Sequence, residues 1–71
     1  MTIGEAREMV EAELAQARTR FPEMHSPHEG LAIVEEEFIE LRRAVFWGKG
    51  DKVVEAKQLA AMAMRFLVDC C

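Results

Sequence analysis

The sequence lacks the features that mark secreted, membrane-spanning and nucleic-acid-binding proteins. It has no tyrosine and only 7% aromatic residues, which argues against an RNA-stacking surface. No apolar run reaches the roughly 18 residues of a membrane span, and Glu5, Arg7 and Glu8 interrupt the segment where a signal peptide would be apolar. Nine lysines and arginines against 13 acids give a net charge of −4, which opposes bulk binding to phosphates. We therefore expect neither a nucleic acid polymer nor a membrane as partner.

Cysteine is scarce and placed where it stabilises little. The two cysteines, Cys70 and Cys71, are adjacent, so a bond between them would close only a strained ring. Their spacing is not that of a zinc site, and the pattern predicts a reduced, cytoplasmic protein. A chain of 71 residues buries only about 60% of the surface that its unfolded form exposes. Because no disulfide or zinc supports so small a core, we expect self-association into a homodimer or homotetramer.

What the sequence does contain is a helical pattern with clear start and stop signals. Ser, Thr and Asp caps, a proline at a first helical position and a glycine after a last turn divide the chain into three segments. These signals are Thr2, Glu5, Pro22, Ser26, Pro27, Gly48 and Asp51. The predicted helices cover residues 3–20, 27–47 and 52–69. We predict one all-α domain, a three-helix protomer that forms an oligomeric four-helix-type bundle.

Two apolar surfaces support this interpretation. Residues 59–64 are apolar all round the third helix, which predicts burial on every side. Three helices cannot enclose that segment completely, so it favours a second chain. The second helix carries an apolar stripe with spacings of 3, 4, 3 and 4, and this stripe is predicted to form the core of the bundle. Its residues are Leu31, Val34, Phe38, Leu41 and Val45.

An acidic cluster in the middle of the second helix is the most unusual feature of the sequence. Glu36 and Glu37 lie four and three residues before Glu40, and each such like-charge pair costs a few tenths of a kcal/mol. Solvent and the nearby Arg43 offer one compensation. A divalent cation offers another, with Glu55 approaching from the third helix. Ligands that are all oxygen atoms favour Mg²⁺ or Mn²⁺.

The same residues resemble a known family. Residues 36–40, EEFIE, match the Glu-Glu-x-x-Glu motif of the MazG-like all-α nucleoside triphosphate pyrophosphohydrolases. HEGLA at 28–32 and EAKQLAAMAMRF at 55–66 are similar to small bacterial and prophage proteins grouped near that family. The likeness covers roughly residues 26–69. It implies hydrolysis of a nucleoside triphosphate to the monophosphate and pyrophosphate, with Mg²⁺ (or Mn²⁺), in a dimer or tetramer of helical bundles.

The resemblance also implies a role for each acidic position. Glu37 and Glu40 would be metal ligands, Glu36 a ligand or the base that orients water, and Glu55 a ligand from the third helix. Gln58 stands where the family has an aspartate, so it would offer a neutral oxygen to the metal. That departure supports an alternative hypothesis: a non-catalytic oligomerisation or interaction module with a degenerate metal site. A protein that binds a nucleotide without hydrolysing it lies between the two.

Overall fold

The computed structural model of the protein describes residues 1–20 and 22–71, without the side chains of residues 18–20. These residues form three helices and no strand: α1 (Ile3–Arg20), α2 (Pro27–Trp47) and α3 (Lys52–Cys70). The all-α prediction is confirmed. The first two helices begin and end at the predicted residues, and α3 continues one residue further than predicted. Among the described helices, none has the length together with the apolar character needed to cross a membrane.

The start of each helix is fixed by side chains that accept backbone hydrogen bonds. Thr2 Oγ1 accepts from the Glu5 amide at 3.1 Å, and Glu5 Oε1 accepts from the Thr2 amide at 2.9 Å. The Thr2 amide thereby lowers the pKa of Glu5. Ser26 Oγ accepts from the Glu29 amide at 3.1 Å at the start of α2. These bonds satisfy amides that a helix leaves without intrahelical partners.

A tight turn joins α2 to α3 and reverses the chain. Gly48 has a φ of +62° and Gly50 a φ of +102°, which lie in the left-handed region that favours glycine. The Lys49 amide donates to the Arg43 carbonyl at 3.2 Å. Asp51 Oδ1 then accepts from the amide of Val53 at 2.8 Å and begins α3. The turn therefore places the first turn of α3 beside the second half of α2.

α3 is the central helix. It packs against both α1 and α2, and among the described residues no Cα atom of α1 lies within 8 Å of a Cα atom of α2. The buried core consists of Ala17, Met24, Ala61 and Met62, with half-buried residues from all three helices around it. An apolar groove is left between α1 and α2, with part of α3 as its floor.

The apolar stripe predicted for α2 is buried only in part. Val34 and Leu41 are half-buried, whereas Leu31, Phe38 and Val45 are 52%, 53% and 60% exposed. The prediction that all five residues form the core is therefore wrong for a single chain.

The reason is that α2 buries two small residues on the side that packs against α3. Gly30 and Ala44 are the buried residues of α2. A Cβ atom on Gly30 would lie 2.8 Å from Phe66 Cδ2 and 3.2 Å from Cys70 Sγ. Because glycine permits this close approach, the contact face is rotated away from the large side chains of the stripe.

α3 itself is not enclosed on every side. Ala61, Met62 and Arg65 are buried, but Met64, Leu67 and Val68 are exposed. The expected burial of residues 59–64 on every side is therefore not met by one chain, because two neighbouring helices cover only part of the surface of a third.

A buried arginine connects α3 to the segment between α1 and α2. Arg65 Nη2 donates to the Pro22 carbonyl at 2.8 Å and to Asp69 Oδ2 at 3.3 Å, and Nη1 donates to the Ala17 carbonyl at 3.4 Å. Asp69 Oδ2 also accepts from the Met24 amide at 3.1 Å. Charge-assisted bonds of this kind are stronger than bonds between neutral groups. They fix the connector against the C-terminal half of α3.

Candidate metal site

Three carboxylates meet where the first turn of α3 packs beside α2. Glu37 and Glu40 lie one helical turn apart on α2, and Glu55 comes from the first turn of α3. One carboxylate oxygen of each lies within 4.8 Å of the other two. The structure thus brings together three of the five residues that the sequence suggested for the site.

Glu40 is exposed, but Glu37 and Glu55 are half-buried, and this distinguishes them from the side chains of a fully solvated acidic face. Glu37 Oε2 and Glu55 Oε2 are inaccessible to solvent, and neither atom has a hydrogen-bond partner among the described residues. A buried acceptor without a partner costs about 1–3 kcal/mol, and more when it is charged. The ion pairs found in the described part of the chain, Lys57 with Glu13 and Arg65 with Asp69, involve none of the three carboxylates.

The electrostatics of the cluster favour a proton or a cation. Burial raises the pKa of Glu37 to about 7, and the charges of Glu40 and Glu55 add to the shift. Burial also raises the pKa of Glu55, together with the adjacent Glu40. Like charges held close together in a partly dry site disfavour ionisation. The donor set fits a hard divalent cation, because its ligand atoms are all carboxylate oxygens and the cation would compensate their repulsion.

The other two predicted site residues are neighbours of the cluster along the two helices. Glu36 is exposed and is not one of the three clustered carboxylates. Gln58 is half-buried on α3, three residues after Glu55. It therefore lies one turn beyond that carboxylate on the helix.

A small cavity of about 160 Å³ adjoins the cluster, and Glu37 belongs to both. Glu29 and Glu36 of α2 form part of its wall, and Arg65 of α3 another part. Glu29 and Arg65 were not among the predicted site residues. A cation within the apolar half of α3 was the available signal for Arg65. Glu29 had no signal beyond its place three residues after Ser26, whose side chain caps α2.

No protein family, curated protein or solved structure matches this chain. Chemically, three carboxylates can hold a divalent cation and leave positions for water and a phosphate.

Proposed function

We propose that this protein is a Mg²⁺- or Mn²⁺-dependent nucleoside triphosphate pyrophosphohydrolase of the MazG-like kind. The observation that carries the proposal is the pair of buried, unpartnered oxygens of Glu37 and Glu55, which belong to a three-carboxylate cluster with Glu40. An acidic face that served only solubility would expose these atoms to water. The resemblance of residues 36–40 supplies the reaction class.

Each residue of the site has a role that follows from its position. Glu37, Glu40 and Glu55 would hold the cation, and the Gln58 carbonyl would add a neutral ligand. A bound divalent cation neutralises charge on the phosphates and lowers the pKa of coordinated water. Glu36, exposed at the edge of the site, accepts a proton from the attacking water. The water oxygen bonds to the α-phosphorus, the bond from that phosphorus to the bridging oxygen breaks, and pyrophosphate leaves.

The proposed enzyme works as a homodimer or homotetramer in the cytoplasm. The exposed apolar residues of α2 and α3 support self-association, because so many large apolar side chains remain uncovered in one chain.

Release of pyrophosphate is the direct test. Ribo-, deoxy- and oxidised nucleoside triphosphates are incubated with the protein and Mg²⁺, and then with Mn²⁺. We expect release by the wild type and by Glu11→Gln, which removes an exposed acid of α1, but not by Glu37→Gln. The absence of release on every nucleotide, or equal release by all three proteins, would contradict the proposal.

Gln58 favours a second candidate, a non-catalytic interaction module. A neutral amide lowers the charge of the ligand set and with it the affinity for a cation. In that case Glu37→Gln relieves repulsion without removing a ligand, and Mg²⁺ or Mn²⁺ leaves the melting temperature unchanged. Stabilisation by a nucleotide without turnover would instead identify a nucleotide-binding regulator.

A further inference from the structure

One side of α2 is apolar and exposed to solvent. The apolar residues of this outer face are between 45% and 71% exposed. At 3.6 residues per turn they lie together, on a different side of the helix from the buried Gly30 and Ala44. The outer face consists of Leu31, Phe38, Ile39, Val45 and Phe46, with Glu35 and Arg42 between them.

The central row of the outer face has apolar residues at its ends and centre, with one acidic and one basic residue between them. Along the helix the order is apolar, acidic, apolar, basic, apolar, with spacings of 4, 3, 4 and 3: Leu31, Glu35, Phe38, Arg42 and Val45. In two identical helices that run antiparallel about a two-fold axis beside Phe38, apolar residues face apolar residues, and Glu35 faces the partner's Arg42. In a parallel pair in register, each charge faces its own copy. Charge complementarity therefore favours the antiparallel arrangement.

Arg42 is already held on this side of the helix. Its guanidinium carbon lies 5.5 Å from the centroid of the Phe46 ring and 6.0 Å from that of Trp47. These contacts are within the range of cation–π attraction. The side chain therefore lies beside the apolar residues that a partner would cover.

The apolar groove continues the outer face toward α1. Its volume is about 490 Å³, and Leu41 and Val45 of α2 line it together with Val10 of α1 and Val53 of α3. In the antiparallel arrangement the partner's Leu31 faces Val45, at the edge of this groove. The groove thus enlarges the helix-to-helix contact toward the roughly 800 Å² per partner of a stable interface.

We infer that a second copy of the chain docks antiparallel on the outer face of α2, with two symmetric pairs between Glu35 and the partner's Arg42. This inference rests on the homo-oligomer of the proposed function and gives it a surface and an orientation. Glu40 lies on a different side of α2 from Phe38, so the dimer leaves the carboxylate cluster accessible.

Reciprocal charge exchange tests the orientation. Sedimentation equilibrium of the full chain is expected to show a dimer for the wild type. Glu35→Arg and Arg42→Glu each create two like-charge contacts, and each should weaken dimerisation roughly tenfold. The double variant should restore the wild-type affinity. A wild-type monomer, or dimers of equal affinity in all four proteins, would overturn the inference.

A second pair of variants tests the surface. Phe38→Glu should give a monomer that retains its helical circular dichroism, whereas Leu67→Glu, at an exposed site of α3, should leave the dimer intact. The reverse result would place the interface on α3 and overturn the inference. Pyrophosphate release is measured on the same samples. If the dimer responds as expected but no pyrophosphate is released, the enzyme proposal is rejected and the interface is retained. If pyrophosphate is released but the variants do not change dimerisation as expected, the interface is rejected and the enzyme proposal is retained.

Discussion

Two groups of charged side chains lie along α3: one is buried and pairs opposite charges, and the other is only partly buried and brings like charges together. In the C-terminal half, Arg65 donates to Asp69 and to two backbone carbonyls. In the first turn, Glu55 meets Glu37 and Glu40, and all three groups are acids. A buried charge with an opposite partner and satisfied hydrogen bonds can serve the fold, whereas buried like charges oppose it. The contrast assigns the first group to the fold and supports the proposal that the second holds a cation.

The largest effect is expected at the balanced group. Arg65→Ala removes the donor from Asp69 and from the carbonyls of Ala17 and Pro22. Among the described residues, the Met24 amide then remains as the hydrogen-bond donor to the Asp69 carboxylate. Breaking a buried pair on one side costs about 3–5 kcal/mol. We expect a loss of about 3 kcal/mol in the free energy of unfolding, measured with urea. The exposed control Arg7→Ala should stay within about 0.5 kcal/mol of the wild type. A similar small loss for both variants would show that the Arg65 network is not structural.

The raised pKa of Glu37 determines how the stability of the protein depends on pH. Its ordinary value is 4.5 and its value in the folded protein is about 7, so the folded state binds the proton more tightly. The stability from this proton is complete below pH 4.5 and is lost as the pH rises through about 7. Glu37→Gln should therefore stabilise the metal-free protein at pH 8, by on the order of 1 kcal/mol after screening by solvent.

Thermal unfolding at several pH values checks this prediction. The difference between Glu37→Gln and the wild type should shrink toward pH 4.5, the ordinary pKa of the group. A difference that does not change with pH would mean that Glu37 does not titrate in this range.

The smallest effect is expected at the edge of the cluster. Gln58→Asp adds a charge one turn after Glu55, so it should raise the affinity for Mn²⁺ and further destabilise the metal-free protein. We expect roughly a fivefold gain in affinity in calorimetric titration. Gln16→Asp on α1 provides a matched control at an exposed position. An affinity that Gln58→Asp leaves unchanged would place residue 58 outside the ligand set.

The fold was predictable because its signals are local. The caps at Thr2, Ser26 and Asp51 and the glycine after α2 act within one turn of chain, and the helices begin where these residues predict. The packing face of α2 was not predictable in the same way. Periodicity identifies an apolar stripe, but it does not reveal that Phe66 approaches Gly30 so closely that the neighbouring face becomes the buried one.

The candidate site was likewise predictable only where its geometry is local. The i,i+3 spacing of Glu37 and Glu40 follows from helix geometry alone. The approach of Glu55 also required the short turn that two glycines make after α2. The position of Glu36 outside the cluster depends on how α2 is rotated against α3, which the sequence does not specify. The bonds of Arg65 to Ala17 and Pro22 join residues 48 and 43 positions apart, beyond the reach of any local pattern.

The melting temperature with and without millimolar Mn²⁺ tests most directly whether the acidic group is a cation site. A ligand that binds only the folded state raises this temperature. We predict that Mn²⁺ raises the melting temperature of the wild type and of Glu11→Gln but not that of Glu37→Gln. Mg²⁺ should raise the melting temperature of the same two proteins. The contrary result is a wild type whose melting temperature is insensitive to both cations, or a rise of equal size in all three proteins. Either result would mean that Glu37, Glu40 and Glu55 do not form a metal site.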